Sequence, residues 1–186
     1  EGLGEIIVKN KNCMKGYFGT SAEKISISSN KWFHTGDAGY IDKAGHLVVI
    51  DRVSDLSFTS EKLRYSPQYL ENKLKFSPFI AEAALIGSNK PYLSSIICIR
   101  YSVLSKWAEQ QRVPFTTYSD LASKKEIEKL LESEVRKVNE SVPEKQRIKK
   151  FVLLYKEFDA DDDELTRTKK LRRNFVIRKY NEIVEA

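Results

Sequence analysis

Cysteine, histidine and long apolar runs are scarce in this sequence, and each scarcity removes a class of explanation. Cys13 and Cys98 are the only cysteines among 186 residues and lie far apart. They encode neither a disulfide framework nor a metal knuckle, and they suit a reducing compartment. Two histidines, His34 and His46, are too few for a histidine-rich metal site. Neither has a carboxylate and a nucleophile at recognisable spacing, so both read as structural. No apolar stretch approaches the ~20 residues that a bilayer span needs. Internal repeats and low-complexity tracts are also missing. The first residue is Glu1 rather than methionine, so the lack of a signal peptide says little about the intact protein.

What is present is enough for a packed core. Hydrophobic residues make up 41% of the chain, with nine Phe, nine Tyr and two Trp, which excludes wholesale disorder. The length fits one ordinary domain, or a small domain plus part of another. The net charge of +6 is spread evenly, with 13 basic against 10 acidic residues in 1–100 and 19 against 16 in the remainder. One local reversal stands out. Residues 159–164 are acidic apart from Ala160, while Arg167, Lys169, Lys170, Arg172 and Arg173 follow at once. Such a reversal can hold a phosphate or nucleotide, or it is two solvated charge runs.

Strands and tight turns dominate the first fifty residues. Gly4 to Val8 reads as a strand, and Gly16 loosens the backbone before aromatic packing residues. The stretch from His34 to Asp37 reads as a turn between strands, and 39–46 as a hairpin whose returning strand starts at Leu47. Strands this short need a partner, so the chain reads as beginning in the middle of a fold. The pattern changes across 51–60. Ser66 then caps a helix that has Pro67 at its first position and ends before Pro78. Strands are predicted at 80–86, 93–99 and 151–155, and helices at 101–111, 120–142 and 171–184. The mixture predicts an α+β fold, a small mixed sheet with packed helices, preceded by a β-rich piece.

Taken singly, the candidate residues leave two readings each. Asp37 can accept hydrogen bonds from a ribose diol or cap a turn. Arg52 can reach a nucleotide or pair with Asp51. Lys169 and Lys170 can neutralise a transferring phosphoryl group or solvate a helix start. Order along the chain adds more. Gly4-Glu-Ile-Ile-Val8 through Met14-Lys-Gly-Tyr17, Trp32-Phe-His-Thr-Gly-Asp-Ala-Gly39, Gly45-His-Leu47 and Asp51-Arg-Val-Ser-Asp55 follow one another. This series resembles the adenylate-forming acyl-CoA synthetase superfamily. Ser66-Pro-Gln-Tyr-Leu-Glu-Asn72, Lys75-Phe-Ser-Pro-Phe79 and Glu164-Leu-Thr-Arg-Thr-Lys-Lys-Leu-Arg-Arg173 resemble its bacterial long-chain fatty-acid–CoA ligase branch.

The resemblance implies that residues 1–53 are the C-terminal edge of a large AMP-binding domain and 54–186 a mobile C-terminal domain. It implies an enzyme that joins a fatty acid to AMP with loss of pyrophosphate, then passes the acyl group to CoA. ATP, CoA and Mg2+ would serve the intact enzyme, and the isolated chain would be inactive without the upstream phosphate loop and acyl tunnel. Asp37 and Arg52 would bind the nucleotide. Ser54 would be the hinge between the two half-reactions. Lys170 would steady the carboxylate and α-phosphate, with Arg172 as a substitute, because the family's usual spacing from Thr168 falls on Arg172. No metal-ligating residue is assigned. The expected setting is cytoplasmic, with a basic terminus able to touch anionic membrane. Adjacent acids and near-even charge elsewhere argue against nucleic acid.

One departure from the family's pattern is plain. Glycine normally follows the hinge motif near the CoA arm, yet residues 56–64 contain none, and a Cβ there crowds close backbone approach. A ligase that transfers to a carrier-protein thiol, and a degenerate non-catalytic interaction domain, are the alternative readings.

Overall fold

The computed structural model of the chain describes residues 3–12 and 32–185. Cys13 and the Met14 to Phe18 segment, with the loosening Gly16, lie outside the described residues. The chain divides into two compact units, Glu1–Leu56 and Ser57–Ala186. The sequence-based boundary at 53/54 falls within the 3-10 turn Val53–Asp55 near the end of the first unit.

The first unit is an antiparallel sheet of β1 (Gly4–Val8), β2 (Phe33–Ile41) and β3 (Leu47–Arg52), in that order. The β2–β3 hairpin reverses because the Asp42 carboxylate accepts from the amides of Ala44 and His46, both at 2.8 Å, while Gly45 takes a φ of +84°. The expected turn over His34 to Asp37 is instead the start of β2. Bonds to β1 keep it extended: Thr35 Oγ1 donates to the Ile6 carbonyl at 2.7 Å, and the Glu5 carboxylate meets His34 Nδ1 at 2.9 Å. Gly36 absorbs the local bend at a φ of +72°.

The second unit opens with a short ribbon of β4 (Ser57–Phe58) and β5 (Arg64–Tyr65). Lys62 takes the left-handed turn position between them, at a φ of +60°. Helix α1 (Pro67–Lys75) starts where the sequence placed it: Ser66 Oγ accepts from the Tyr69 amide at 3.0 Å, with Pro67 at the first position. Strands β6 (Ile80–Ile86) and β7 (Leu93–Ile99) pair antiparallel, and β8 (Ile148–Leu153) joins β7 in parallel. A parallel neighbour requires a crossover, supplied by α2 (Tyr101–Gln110), α3 (Tyr118–Ala122) and α4 (Lys125–Glu140).

Period-two alternation splits this sheet between two cores. Ala83, Leu85, Ile97 and Ile99 belong to one with Leu70, Leu104, Ile127 and Leu131 of the helices. Ala84, Ile86, Ile96 and Cys98 belong to the other with Leu154, Phe158, Val176 and Tyr180. Burial on both faces explains why β7 closes on the unbroken apolar run Ile96 to Ile99.

Three further expected elements differ. The helix predicted over 120–142 is two, because Ser123 donates its hydroxyl to the Asp120 carbonyl at 2.8 Å and Lys124 is extended. The terminal helix is α5 (Arg173–Lys179) and α6 (Asn181–Glu185), parted at Tyr180, whose φ and ψ of −106° and 26° leave the helical region. The strand expected at 151–155 starts earlier, at Ile148, where Asn139 braces both the amide and the carbonyl of that residue.

Candidate functional site

In the first unit the sheet register sets Asp37 opposite Arg52. Arg52 Nη1 lies 3.1 Å from Asp37 Oδ1 and donates to the Thr35 carbonyl at 3.3 Å. The Asp37 amide donates to Thr35 Oγ1 at 3.1 Å, so the peptide that carries the carboxylate is fixed. The Arg52 and Asp37 side chains are 62% and 37% exposed, and an exposed pair adds at most about 1 kcal/mol of stability. What the pairing supplies is an oriented carboxylate with acceptor sites left for an incoming hydroxyl. Glu5 anchors the same stretch from β1. Its carboxyl is held below its ordinary range, chiefly by the hydrogen bond to His34. Ser54 sits in the 3-10 turn Val53–Asp55, which buries no residue, and its hydroxyl donates to Asp55 Oδ1 at 3.0 Å.

The second cluster is a hairpin loop ahead of α5. A lone bridge pairs Leu165 with Leu171. Inside it the Thr166 amide donates to the Lys170 carbonyl at 2.8 Å, and the Lys170 amide donates to Thr166 Oγ1 at 3.0 Å. Lys169 turns the chain at a φ of +58°. The two cations expected to compete for one role are in different circumstances. Lys170 is exposed, with no side-chain partner among the described residues. Arg172 is engaged: it pairs with Asp163, and its guanidinium lies 5.4 Å from the Phe175 ring centroid. A cleft of about 440 Å³, lined in part by Asp163, Thr166, Arg167 and Arg172, opens beside the loop.

Two buried carboxylates hold the loop's base. Glu164 has a fully buried side chain. It accepts from Tyr180 Oη, from Lys179 Nζ at 2.9 Å, from Lys156 Nζ at 3.0 Å and from the Asp159 amide at 2.9 Å. Burial pushes its carboxyl upward, but the bonds from Tyr180, Lys179, Asp159 and Lys156 together outweigh burial and hold it below the ordinary range. Lys179 is raised in turn, first by the Glu164 bond, and Tyr180 is raised by burial and then by that bond. Beyond the loop, Arg173 makes a bidentate pair with Glu71 of α1, at 2.9 and 2.6 Å. Glu71 also accepts from the Leu85 amide of β6 at 2.8 Å.

The charge reversal seen in the sequence is therefore resolved within the fold. Arg172 and Arg173 are neutralised by Asp163 and Glu71, whereas Arg167, Lys169 and Lys170 have no ion pair among the described residues. Sequence reasoning missed Glu164, Glu71, Lys156, Lys179 and Tyr180. The signal for Glu164 is its place at the seam between an acidic run and an apolar Leu165. Glu71 carries no such mark, because its partner lies a hundred residues away in sequence. Among the described residues no group of three His, Cys, Asp or Glu gathers to hold a metal, and no helix is long and apolar enough to cross a membrane.

Comparison with known proteins gives the family and the fold. The family described as AMP-binding enzyme C-terminal domain matches residues 55–186. A long-chain-fatty-acid–CoA ligase of Mycobacterium tuberculosis is 28% identical over 184 residues, 98% of this chain and 31% of that protein. A human long-chain-fatty-acid–CoA ligase is 29% identical over 205 residues, covering 100% of this chain and 28% of its own length. The chain thus spans about a third of the length of these curated relatives. Among solved structures, the adenylation domain of a carboxylate reductase from Mycobacterium chelonae superposes with a TM-score of 0.62 at 19% identity, covering 98% of this chain and 27% of that one. The corresponding domain from Segniliparus rugosus, in complex with AMP and a co-purified carboxylic acid, gives 0.61 at 20% identity with the same coverage. These two share the fold. Matched by its C-terminal domain over residues 55–186, the chain belongs to the AMP-binding enzyme family.

Proposed function

We propose that the chain is the nucleotide edge and mobile C-terminal domain of a long-chain fatty-acid–CoA ligase, working with a large upstream domain in the same polypeptide. The observation that carries this reading is the exposed Lys170, without an ion pair among the described residues, on a loop whose neighbouring cation, Arg172, is already paired. A fatty carboxylate and the α-phosphate of ATP repel as they approach. A flexible ammonium brought to both lowers that repulsion as the carboxylate oxygen attacks phosphorus and pyrophosphate departs. Asp37 would accept the ribose hydroxyls, with Arg52 fixing it from the facing strand. Ser54 would absorb the torsional change between half-reactions. In the second step the CoA sulfur attacks the acyl carbon and AMP leaves. Mg2+ would arrive with the nucleotide phosphates, since the described residues gather no cluster to hold it.

The ribbon after the hinge favours one second reading. Residues 56–64 contain no glycine, and Lys62 fills the left-handed turn position with a full side chain. A crowded approach at that point fits transfer to a carrier-protein thiol in place of CoA. The exposed cations at the loop tip also suit contact with anionic lipid in the cytoplasm, each worth about 1 kcal/mol near such a surface.

The test is AMP release from ATP and a long-chain fatty acid by the full-length protein, with and without CoA. CoA-dependent release with acyl-CoA product is expected. Lys170→Ala should lower adenylation by roughly 10²-fold or more, while Arg172→Ala should act through stability. Release that ignores CoA but responds to a carrier protein moves the assignment to the second reading. Loss of activity from Arg172→Ala but not from Lys170→Ala refutes the choice of lysine.

A further inference from the structure

We propose that Glu164 positions Lys170, its buried carboxylate fixing where the lysine loop sits on the domain. The inference rests on Lys170 being the adenylation cation. The loop's internal bonds give it a shape but not a location. Thr166 and Lys170 bond to each other, and the partly buried Leu165 and Leu171 pack against the sheet's second core through apolar contacts that carry no direction. Orientation comes from the residue at its base. The Glu164 carbonyl accepts from the Arg172 amide at 2.9 Å and so closes the hairpin. Its side chain, fully buried, turns the other way into the domain.

Four donors fill the four acceptor sites of that carboxylate, Tyr180 and Lys179 on Oε1, Lys156 and the Asp159 amide on Oε2. They come from three places in the chain: the exit of β8, the acidic turn, and the end of α5. A point tied to three separate segments has little freedom to translate or rotate. Asp162 pairs with Lys156 and lies 3.4 Å from Lys179, so two acids and two lysines close a ring of zero net charge. An apolar side chain of similar size would cost less to bury than this ionic arrangement. It would not fix direction, which is what a reaction sensitive to displacements of about 1 Å requires.

The experiment compares Glu164→Gln and Tyr180→Phe in the full-length protein with Ile127→Val, a buried change in the helix-side core. Two half-reactions are read separately: pyrophosphate release from ATP and fatty acid, and acyl-CoA formation from supplied acyl adenylate and CoA. Hydrogen exchange is followed at the amides of Thr166, Lys169 and Arg172. Glu164→Gln should lower adenylation kcat by about 10²-fold, and Tyr180→Phe, which deletes one donor, by about 10-fold. Both should keep the wild-type rate of acyl transfer and speed exchange at the three amides. Ile127→Val should lower the melting temperature without separating the half-reactions. Equal loss in both half-reactions, or unchanged amide exchange in Glu164→Gln, overturns the positioning role. Absence of adenylation in the wild-type protein refutes the ligase reading instead, and the exchange result still decides whether Glu164 fixes the loop.

Discussion

Replacing Arg173 with methionine should destabilise the second unit by about 3 kcal/mol. The Glu71 side chain is 5% exposed and that of Arg173 30%, with bonds of 2.9 and 2.6 Å between them. Methionine keeps much of the stem volume and strips the carboxylate of both guanidinium donors, leaving the Leu85 amide at 2.8 Å. Breaking a fully buried pair from one side costs about 3–5 kcal/mol, and water reaching in where Arg173 is exposed sets the lower end. Against a typical folding free energy of about 5–15 kcal/mol the loss is large, a fall in melting temperature on the order of 10 °C. Urea unfolding followed by Trp107 fluorescence in a Trp32→Phe background reads the second unit alone. Glu71→Gln keeps an acceptor for Leu85, so the cycle with Arg173→Met should show a coupling of roughly 2 kcal/mol. An Arg173→Met protein within about 0.5 kcal/mol of its parent would refute the argument, since that is the range of an ordinary surface change.

Acid should loosen the same unit through Glu164. Its folded carboxyl titrates below the ordinary 4.5, so its stabilisation is present above that value and is lost as pH falls through the folded value. The urea midpoint should hold level down to about pH 5 and then drop, with a shallower drop in Glu164→Gln; identical acid profiles would exclude Glu164 as the cause. Gly87→Ala should cost about 2 kcal/mol. Its new Cβ would lie 2.3 Å from Leu93 Cδ2 and 2.8 Å from Tyr65 Oη, both on side chains too buried to retreat. An unchanged melting temperature would show that the pocket yields. Ser66→Ala should cost about 1 kcal/mol by stripping the α1 cap, read as a lower urea midpoint with an unchanged slope.

Local chemistry made much of the fold legible. Ser66 before Pro67 marked the start of α1, and the runs of β6 and β7 announced their own limits because both faces are buried. What failed depended on partners that the sequence does not place side by side. His34 to Asp37 has turn composition, yet Glu5 and Ile6 of β1 hold it as strand. Tyr180 has helical neighbours, yet leaves the helical region where its hydroxyl meets Glu164. The site divides in the same way. Asp37, Arg52, Ser54, Lys170 and Arg172 were picked out by order along the chain, and the structure shows Arg52 on Asp37 and Arg172 on Asp163. Glu71 carries no mark in the sequence and Glu164 only its place beside Leu165, because a buried acid is defined by its donors. Those donors include Arg173, Lys179 and Tyr180, which the sequence offers as ordinary residues of an amphipathic end.

The closed ring around Glu164 separates two properties of the lysine loop that are usually tied together. With Glu164, Asp162, Lys156 and Lys179 summing to zero, and Glu164 fully buried among them, dissolved ions find little net field at the stem to screen. At the tip Arg167, Lys169 and Lys170 face water, where screening acts beyond about 8 Å at physiological ionic strength. Added salt should therefore weaken the long-range pull of this loop on polyanions while leaving its outline and melting temperature unchanged. The tip can then be tuned by the medium while the frame that aims it is not.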